Sequence, residues 1–285
     1  MSLLLCILNG FFWAFFDVTR KLSLQYLSPK ILLSIFMIVQ VIFFFLWTCF
    51  EKNFSFDAKY ILPGSILVII SVISAILFLK SIIHSDLSLT IPLLSLTPLF
   101  SSFFSFLLLD EKLSTLQYIG IGTVVVGTLI LYSKNLKINS LFESFTIIKK
   151  NKGALLMILV AFFWSITPIV DKICLQFINI NSHGLIQSLG MLISLFLISY
   201  KEFKITNFTE KSKFLVVATV LIGTVATILQ LYSILQNFVP IMEVIKRTIG
   251  QTCAVIFGFI IFKEKINKQK VLGVTVLTMG IFFIL

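Results

Sequence analysis

Hydrophobic residues in this chain run in long uncharged stretches and show neither the two-residue period of a strand nor the narrow stripe of a soluble helix. Ile31 to Phe50, Tyr60 to Leu79, Leu87 to Leu109 and Leu113 to Ser133 contain no charged residue. About 20 residues of α-helix cross a hydrocarbon core, so these four stretches predict four spans. Gly153 to Val170 predicts another. The uncharged run Ile173 to Tyr200 is broken by Asn179-Ile-Asn-Ser-His-Gly184, a turn-forming cluster that divides two helices. Phe214 to about Gln236 follows, closed by Asn237 and Pro240. Shorter or charge-interrupted runs near Leu3 to Tyr26, Pro240 to Phe262 and Lys270 to Leu285 complete ten spans. Ser114-Thr-Leu-Gln117 has the form of a capping box at the head of the fifth. The expected fold is an all-α polytopic membrane protein.

Composition agrees. Of 285 residues, 58% are hydrophobic and 12% charged, and ten spans of about 20 residues leave no room for a separate soluble domain. The net charge of +11 is that of loops facing anionic lipid, and does not point to nucleic acid. Cys6, Cys49, Cys174 and Cys253 form no CxxC pair and have no histidine at metal-ligand spacing, so they read as small core hydrophobes and neither metal nor cofactor is expected. The apolar N-terminus lacks a basic leader and a small-residue cleavage site, and reads as the first span.

The chain repeats itself. Displacing the second half by 153 positions lays Glu111-Lys112 on Glu264-Lys265, Gly120 on Gly273 and Gly127 on Gly280. A displacement of 151 lays Phe11-Phe12-Trp13 and Lys21 on Phe162-Phe163-Trp164 and Lys172. The repeats extend over residues 1–134 and 150–285, divided by the polar stretch Lys134 to Lys152. Five spans per half is an odd number, so the two halves enter the membrane in opposite senses, as an inverted repeat. Two equivalent bundles can then rock about a shared site.

With ten spans, a Trp in the first helix of each half, Pro92 and Thr97-Pro98-Leu99-Phe100 in the fourth, Leu109-Asp-Glu111 before a glycine-bearing fifth, and Gly258-Phe-Ile-Ile-Phe-Lys-Glu264 in the second half, the chain resembles the EamA-type branch of the drug/metabolite transporter superfamily. The resemblance covers essentially the whole chain. It implies a secondary transporter of small organic metabolites, in a family that includes amino-acid exporters, carriers of nucleotide derivatives and vitamins, and flippases for lipid-linked sugars. A bacterial inner membrane, and a monomer or homodimer, are the expected setting.

The sharpest chemical anomaly is Glu243-Val-Ile-Lys246-Arg247 in the ninth span. Spacings of three and four put both cations on the face of Glu243. A charge inside the membrane costs at least about 2.5–3.5 kcal/mol and turns toward protein or water. Two cations against one anion leave a positive charge suited to a substrate carboxylate or phosphate, with Arg247 the better bidentate partner; a later helix start, with both side chains snorkelling, is the alternative. Trp13, Asp17 and Arg20 share a face of the first span, where Asp17 could hold an amine or a coupling proton, or pair with Arg20; Trp164, Pro168 and Asp171 repeat the pattern in the sixth. Gln230 and Tyr232 in the eighth span, and Gln251 one turn beyond Arg247, offer further polar tips, for substrate or for a neighbouring helix. Glu111 and Glu264 read as residues that settle helix ends. The expected site lies near the midplane among the first, fourth, sixth and ninth helices, takes an amino-acid-like or other carboxylate-bearing solute by alternating access, and is open to proton coupling through Asp17 or Glu243. Flipping a lipid-linked head group, or carrying nucleotide-derived metabolites, is the alternative. No HExxH, GxSxG or P-loop motif is present, which argues against an enzyme, and no ring of like charges suggests a channel.

Odd-numbered connections carry seventeen of the 23 Lys and Arg and even-numbered ones four, the other two being Lys246 and Arg247. Many relatives keep both termini inside, but this count favours both outside. A tag at either terminus should therefore react with an impermeant reagent in intact cells, and protection until the membrane is opened would reverse the assignment.

Overall fold

The computed structural model describes residues 2–84, 91–132, 151–199, 210–261, 263 and 268–284. Among these are ten α-helices: α1 Ser2–Ser23, α2 Pro29–Glu51, α3 Ile61–His84, α4 Thr97–Leu109, α5 Thr115–Tyr132, α6 Lys152–Cys174, α7 Ile180–Ser199, α8 Glu210–Gln236, α9 Val239–Ile260 and α10 Lys268–Phe282. Short 3-10 turns, Ala58–Tyr60 and Ile91–Leu96, precede α3 and α4. Among the described residues, six segments are long and apolar enough to cross a membrane: Leu3–Ser23, Pro29–Glu51, Ala58–Phe78, Lys152–Cys174, Ile180–Ile198 and Ser212–Gln236.

Local chemistry sets the helix ends. Ser28 caps α2 by accepting from the Ile31 amide, with Pro29 in the first turn. The capping box forms in full: Gln117 Oε1 accepts from the Ser114 amide at 2.9 Å and Ser114 Oγ from the Gln117 amide at 3.3 Å. Asn151 Oδ1 accepts from the Ala154 amide at the head of α6. The cluster Asn179 to Gly184 differs from its sequence reading. Asn179 Oδ1 accepts from the Ser182 amide at 3.1 Å, so the cluster is the cap and first turn of α7, and the break falls just before it. Asn and Ser satisfy helix-start amides as readily as they make turns. The fourth span is likewise no single helix, since Ile91–Leu96 winds as 3-10 before α4 begins with Pro98 in its first turn. The Lys134 to Lys152 divider falls outside the described residues as far as position 150, and so does Glu264.

Packing divides the chain into two compact units, residues 1–72 with 170–236 and residues 73–169 with 237–285. Each unit draws helices from both halves of the sequence. In the first, α1 packs along α8 and α2 along α7, around Phe16, Leu32, Phe36, Leu195 and Val220. Ser23 and Thr219 hydroxyls meet at 2.8 Å, and Gln40 donates to Thr227 at 2.8 Å. In the second, α5 packs along α10 and α4 along α9, while Phe78 of α3 joins Met157 and Val160 of α6 in one cluster. Helices α2 and α7, α4 and α9, and α5 and α10 are repeat equivalents, so three of these pairs join a helix to its own counterpart.

The α5–α10 pair shows this at atomic level. A Cβ on Gly120 would lie 2.8 Å from the Gly280 carbonyl, and one on Gly127 would lie 2.7 Å from the Leu277 amide and 3.2 Å from the Gly273 carbonyl. The first glycine of one helix meets the second of the other, which is the reciprocal pattern of a two-fold contact between antiparallel helices. Gly127→Val should separate the pair and lower stability by about 1–3 kcal/mol, the usual cost of overpacking, read as a lower unfolding midpoint in detergent. Gly122 has nothing within 4 Å of a built Cβ, so Gly122→Ala should leave the midpoint unchanged or raise it.

Candidate functional site

The site begins where α4 ends. Asp110 adopts a left-handed conformation (φ 54°) that stops the helix, which an aspartate tolerates better than most residues. Lys263, 153 positions later, repeats it at φ 54°. The turn carries Glu111 inward to 4% exposure. Its Oε2 accepts the Val239 amide at 2.9 Å and the Ser105 hydroxyl. Val239 is the first residue of α9, and the residue before it, Phe238, supplies no side-chain cap. Glu111 therefore performs the capping from 128 positions away, its carboxylate against the positive end of the helix. This is the helix-end role its sequence position suggested.

One turn into α9 stand the three ionisable residues. Glu243 has no exposed surface and Lys246 8%. Lys246 Nζ bonds Glu243 Oε1, and Arg247 Nε lies 3.4 Å from Glu243 Oε2. At 3.4 Å that contact is an ion pair without hydrogen-bond geometry, and Arg247 Nε and Glu243 Oε2 are buried with no hydrogen-bond partner. Arg247 sits over the Trp164 ring, its guanidinium carbon 5.6 Å from the ring centre. Trp164 is fixed in turn, stacked on Phe78 at 5.3 Å and donating Nε1–H to Ser74 Oγ at 3.1 Å. The helix start is early and capped, so these side chains do not belong to a frayed end. Among these three side chains one positive charge is in excess, while the Glu111 carboxylate is buried at the start of the same helix. Gln251, 5% exposed, accepts the Thr128 hydroxyl at 2.9 Å, and so ties α9 to α5.

The other sequence candidates belong to the first unit. Asp17 is exposed and accepts from Arg20 at 2.8 Å, with Arg20 also over Phe16; this is the ion-pair alternative of the sequence reading. Trp13 packs edge-on to Phe16 at 5.5 Å. Gln230 is half-buried on α8. Tyr232 lines a recess of ≈ 270 Å³ with Trp47, Glu51, Asn179 and Asn181. In the second unit a larger recess, ≈ 530 Å³, is walled by Phe100, Phe103, Phe104, Phe106 and Phe162 and carries no charge. Thr128 and Ser74 were not legible from sequence, since serines and threonines occur throughout these spans.

The model of the EamA-like transporter family matches residues 1–133 and 151–285. The chain belongs to this family, as a membrane transporter for a small-molecule substrate. Twenty-nine solved chains match its fold; one, titled only as the crystal structure of a protein, superposes with a TM-score of 0.78 over 99% of this chain and 95% of its own at 11% identity. No curated protein sequence gives a significant match.

Glu111→Ala should strand the buried Val239 amide and Ser105 hydroxyl. Each stranded group costs about 1–3 kcal/mol, so the unfolding midpoint should fall clearly, and Glu111→Gln, which keeps an acceptor, should recover part of the loss.

Proposed function

We propose that this transporter carries a small carboxylate-bearing metabolite, amino-acid-like in size, by alternating access, and that Arg247 holds the carboxylate. The observation that supports the reading is the excess positive charge that Lys246 and the partly exposed Arg247 carry over the buried Glu243. Such a charge is costly in a membrane and is met where an anionic ligand offsets it. Lys246 already neutralises Glu243, which leaves the guanidinium fork for a ligand. Trp164 and Phe78 add a flat apolar wall beside it. The broken approach to α4 at Ile91–Leu96 and Pro168 inside α6 suit a transporter, because irregular helices of this kind border transport paths. A bacterial cell membrane is the setting we take for it.

A second reading has its own support. The aromatic recess of ≈ 530 Å³ would accept an acyl or polyprenyl chain, as a flippase for a lipid-linked head group requires. Counterflow in proteoliposomes against a panel of amino acids, other carboxylates and lipid-linked sugars separates the two.

For whichever carboxylate is carried, Arg247→Gln should raise KM roughly ten- to a hundredfold, the worth of a charged hydrogen bond at about 1.5–3 kcal/mol. The variant should stay folded, since Lys246 continues to pair Glu243. Arg247→Lys should recover part of the affinity. Full activity in the Gln variant would remove Arg247 from the site.

A further inference from the structure

The first unit holds a second buried polar network, remote in sequence from α9. His183, 1% exposed in the first turn of α7, has both ring nitrogens engaged. Nε2 lies 3.0 Å from Asp171 Oδ1 on α6, and Nδ1 lies 3.0 Å from the hydroxyl of Tyr60, itself 2% exposed in the turn before α3. Gln187, one turn along α7, places its Nε2 3.0 Å from the Tyr60 hydroxyl and 3.1 Å from the Gly64 carbonyl.

One assignment of protons satisfies all of these contacts with a neutral histidine. The Gly64 carbonyl can only accept, so the atom facing it is the Gln187 amide nitrogen. That nitrogen has a second hydrogen, which goes to the Tyr60 oxygen. Tyr60 then donates its own hydroxyl hydrogen to His183 Nδ1. Nδ1 is thus an acceptor, and the histidine proton resides on Nε2, donated to Asp171. In this neutral state the contacts run without conflict: Gln187 to Tyr60, Tyr60 to His183, His183 to Asp171.

We propose that His183 and Asp171 form a buried proton-binding site, and that taking up a proton weakens the hold on Tyr60, by stranding its hydroxyl hydrogen, and so loosens the start of α3. A proton arriving from solvent bonds the Nδ1 lone pair, making an imidazolium paired to the Asp171 carboxylate. Nδ1–H must now donate where it accepted. The Tyr60 oxygen would receive two hydrogen bonds, from Nδ1 and Gln187, and its own hydrogen would lose its acceptor in a buried place. Asp171 favours the charged state and the stranded hydroxyl opposes it. The outcome is two states of the same contacts, separated by one proton.

Other groups around the ring do not replace this pair. Besides Asp171, α6 presents the buried thiol of Cys174, with Lys172 between them in sequence. From α2, Phe44 meets Gly184, where a Cβ would come within 2.4 Å of its ring, and the terminal Glu51 is held by Trp47 Nε1 at 2.6 Å. Residues 61–72 of α3 contain no ionisable group; Asp57 and Lys59, beside Tyr60, are a half-exposed and an exposed side chain.

The chain has two histidines, so His84→Gln leaves His183 as a single signal in nitrogen NMR of the full-length protein in nanodiscs. At the alkaline end of a pH series Nε2 should appear as the protonated, pyrrole-type nitrogen and Nδ1 as the bare one; at the acid end, both should be protonated. Over the same interval amide exchange in residues 55–64, corrected for the intrinsic pH effect, should rise several-fold. His183→Gln and Tyr60→Phe should each abolish that pH response. A proton on Nδ1 at the higher pH, no protonation by the lower, or an exchange response that persists in His183→Gln would each overturn the proposal. The tautomer reading needs neither of the last two variants, so it decides the matter even if they fail to fold.

Discussion

In hydrocarbon, helices gain nothing by hiding apolar surface from lipid, and their association rests on how closely two backbones can approach. Gly120, Gly127 and Gly280 meet that condition in α5 and α10, where added Cβ atoms would fall within 3 Å of the opposing helix. The neighbouring α9 is fitted against this contact. Val244 of α9 lies in the same cluster as Ile121, Val124, Leu277 and Ile284, and Gln251, about two turns further along, reaches Thr128. The helix that carries Glu243, Lys246 and Arg247 is therefore seated against a closely packed pair.

The inverted repeat explains why the units are not the halves. A copy inserted upside down presents to its twin the same surface that the twin presents to it, so equivalent helices pair with each other. The α2–α7 and α5–α10 contacts are instances of this, and the α1–α8 and α3–α6 contacts exchange under it. Packing of this kind interleaves the two halves.

Much of this was open to inspection in the chain itself. Uncharged runs of about 20 residues mark spans because charge is costly in hydrocarbon, and the Ser114 capping box and the Glu243, Lys246, Arg247 spacing are local chemistry that survives folding unchanged. The matching of Gly120 with Gly273 and Gly127 with Gly280 was legible as repetition, while their crossing was not. Helices that are apolar all round give no sign of which face meets which neighbour. Long-range polar pairs were hidden for the same reason: Glu111 and Val239, or Tyr60 and His183, lie more than a hundred residues apart. The Asn179 to Gly184 cluster was read as a turn because caps and turns use the same residues. Asp171 stood out as a charge, but its partner came from a stretch assigned to a connection.

The carboxylate at the head of α9 also has a consequence for biogenesis. A polypeptide leaves the ribosome from its N-terminus, and its earlier segments settle first. Glu111 is thus synthesised well before Val239, and the acceptor for the opening amide of the helix that carries Glu243, Lys246 and Arg247 stands ready when that helix arrives. A version of this protein with its halves exchanged in gene order would have to insert those charges before anything existed to anchor them, and should depend far more on the cell's insertion machinery and quality control.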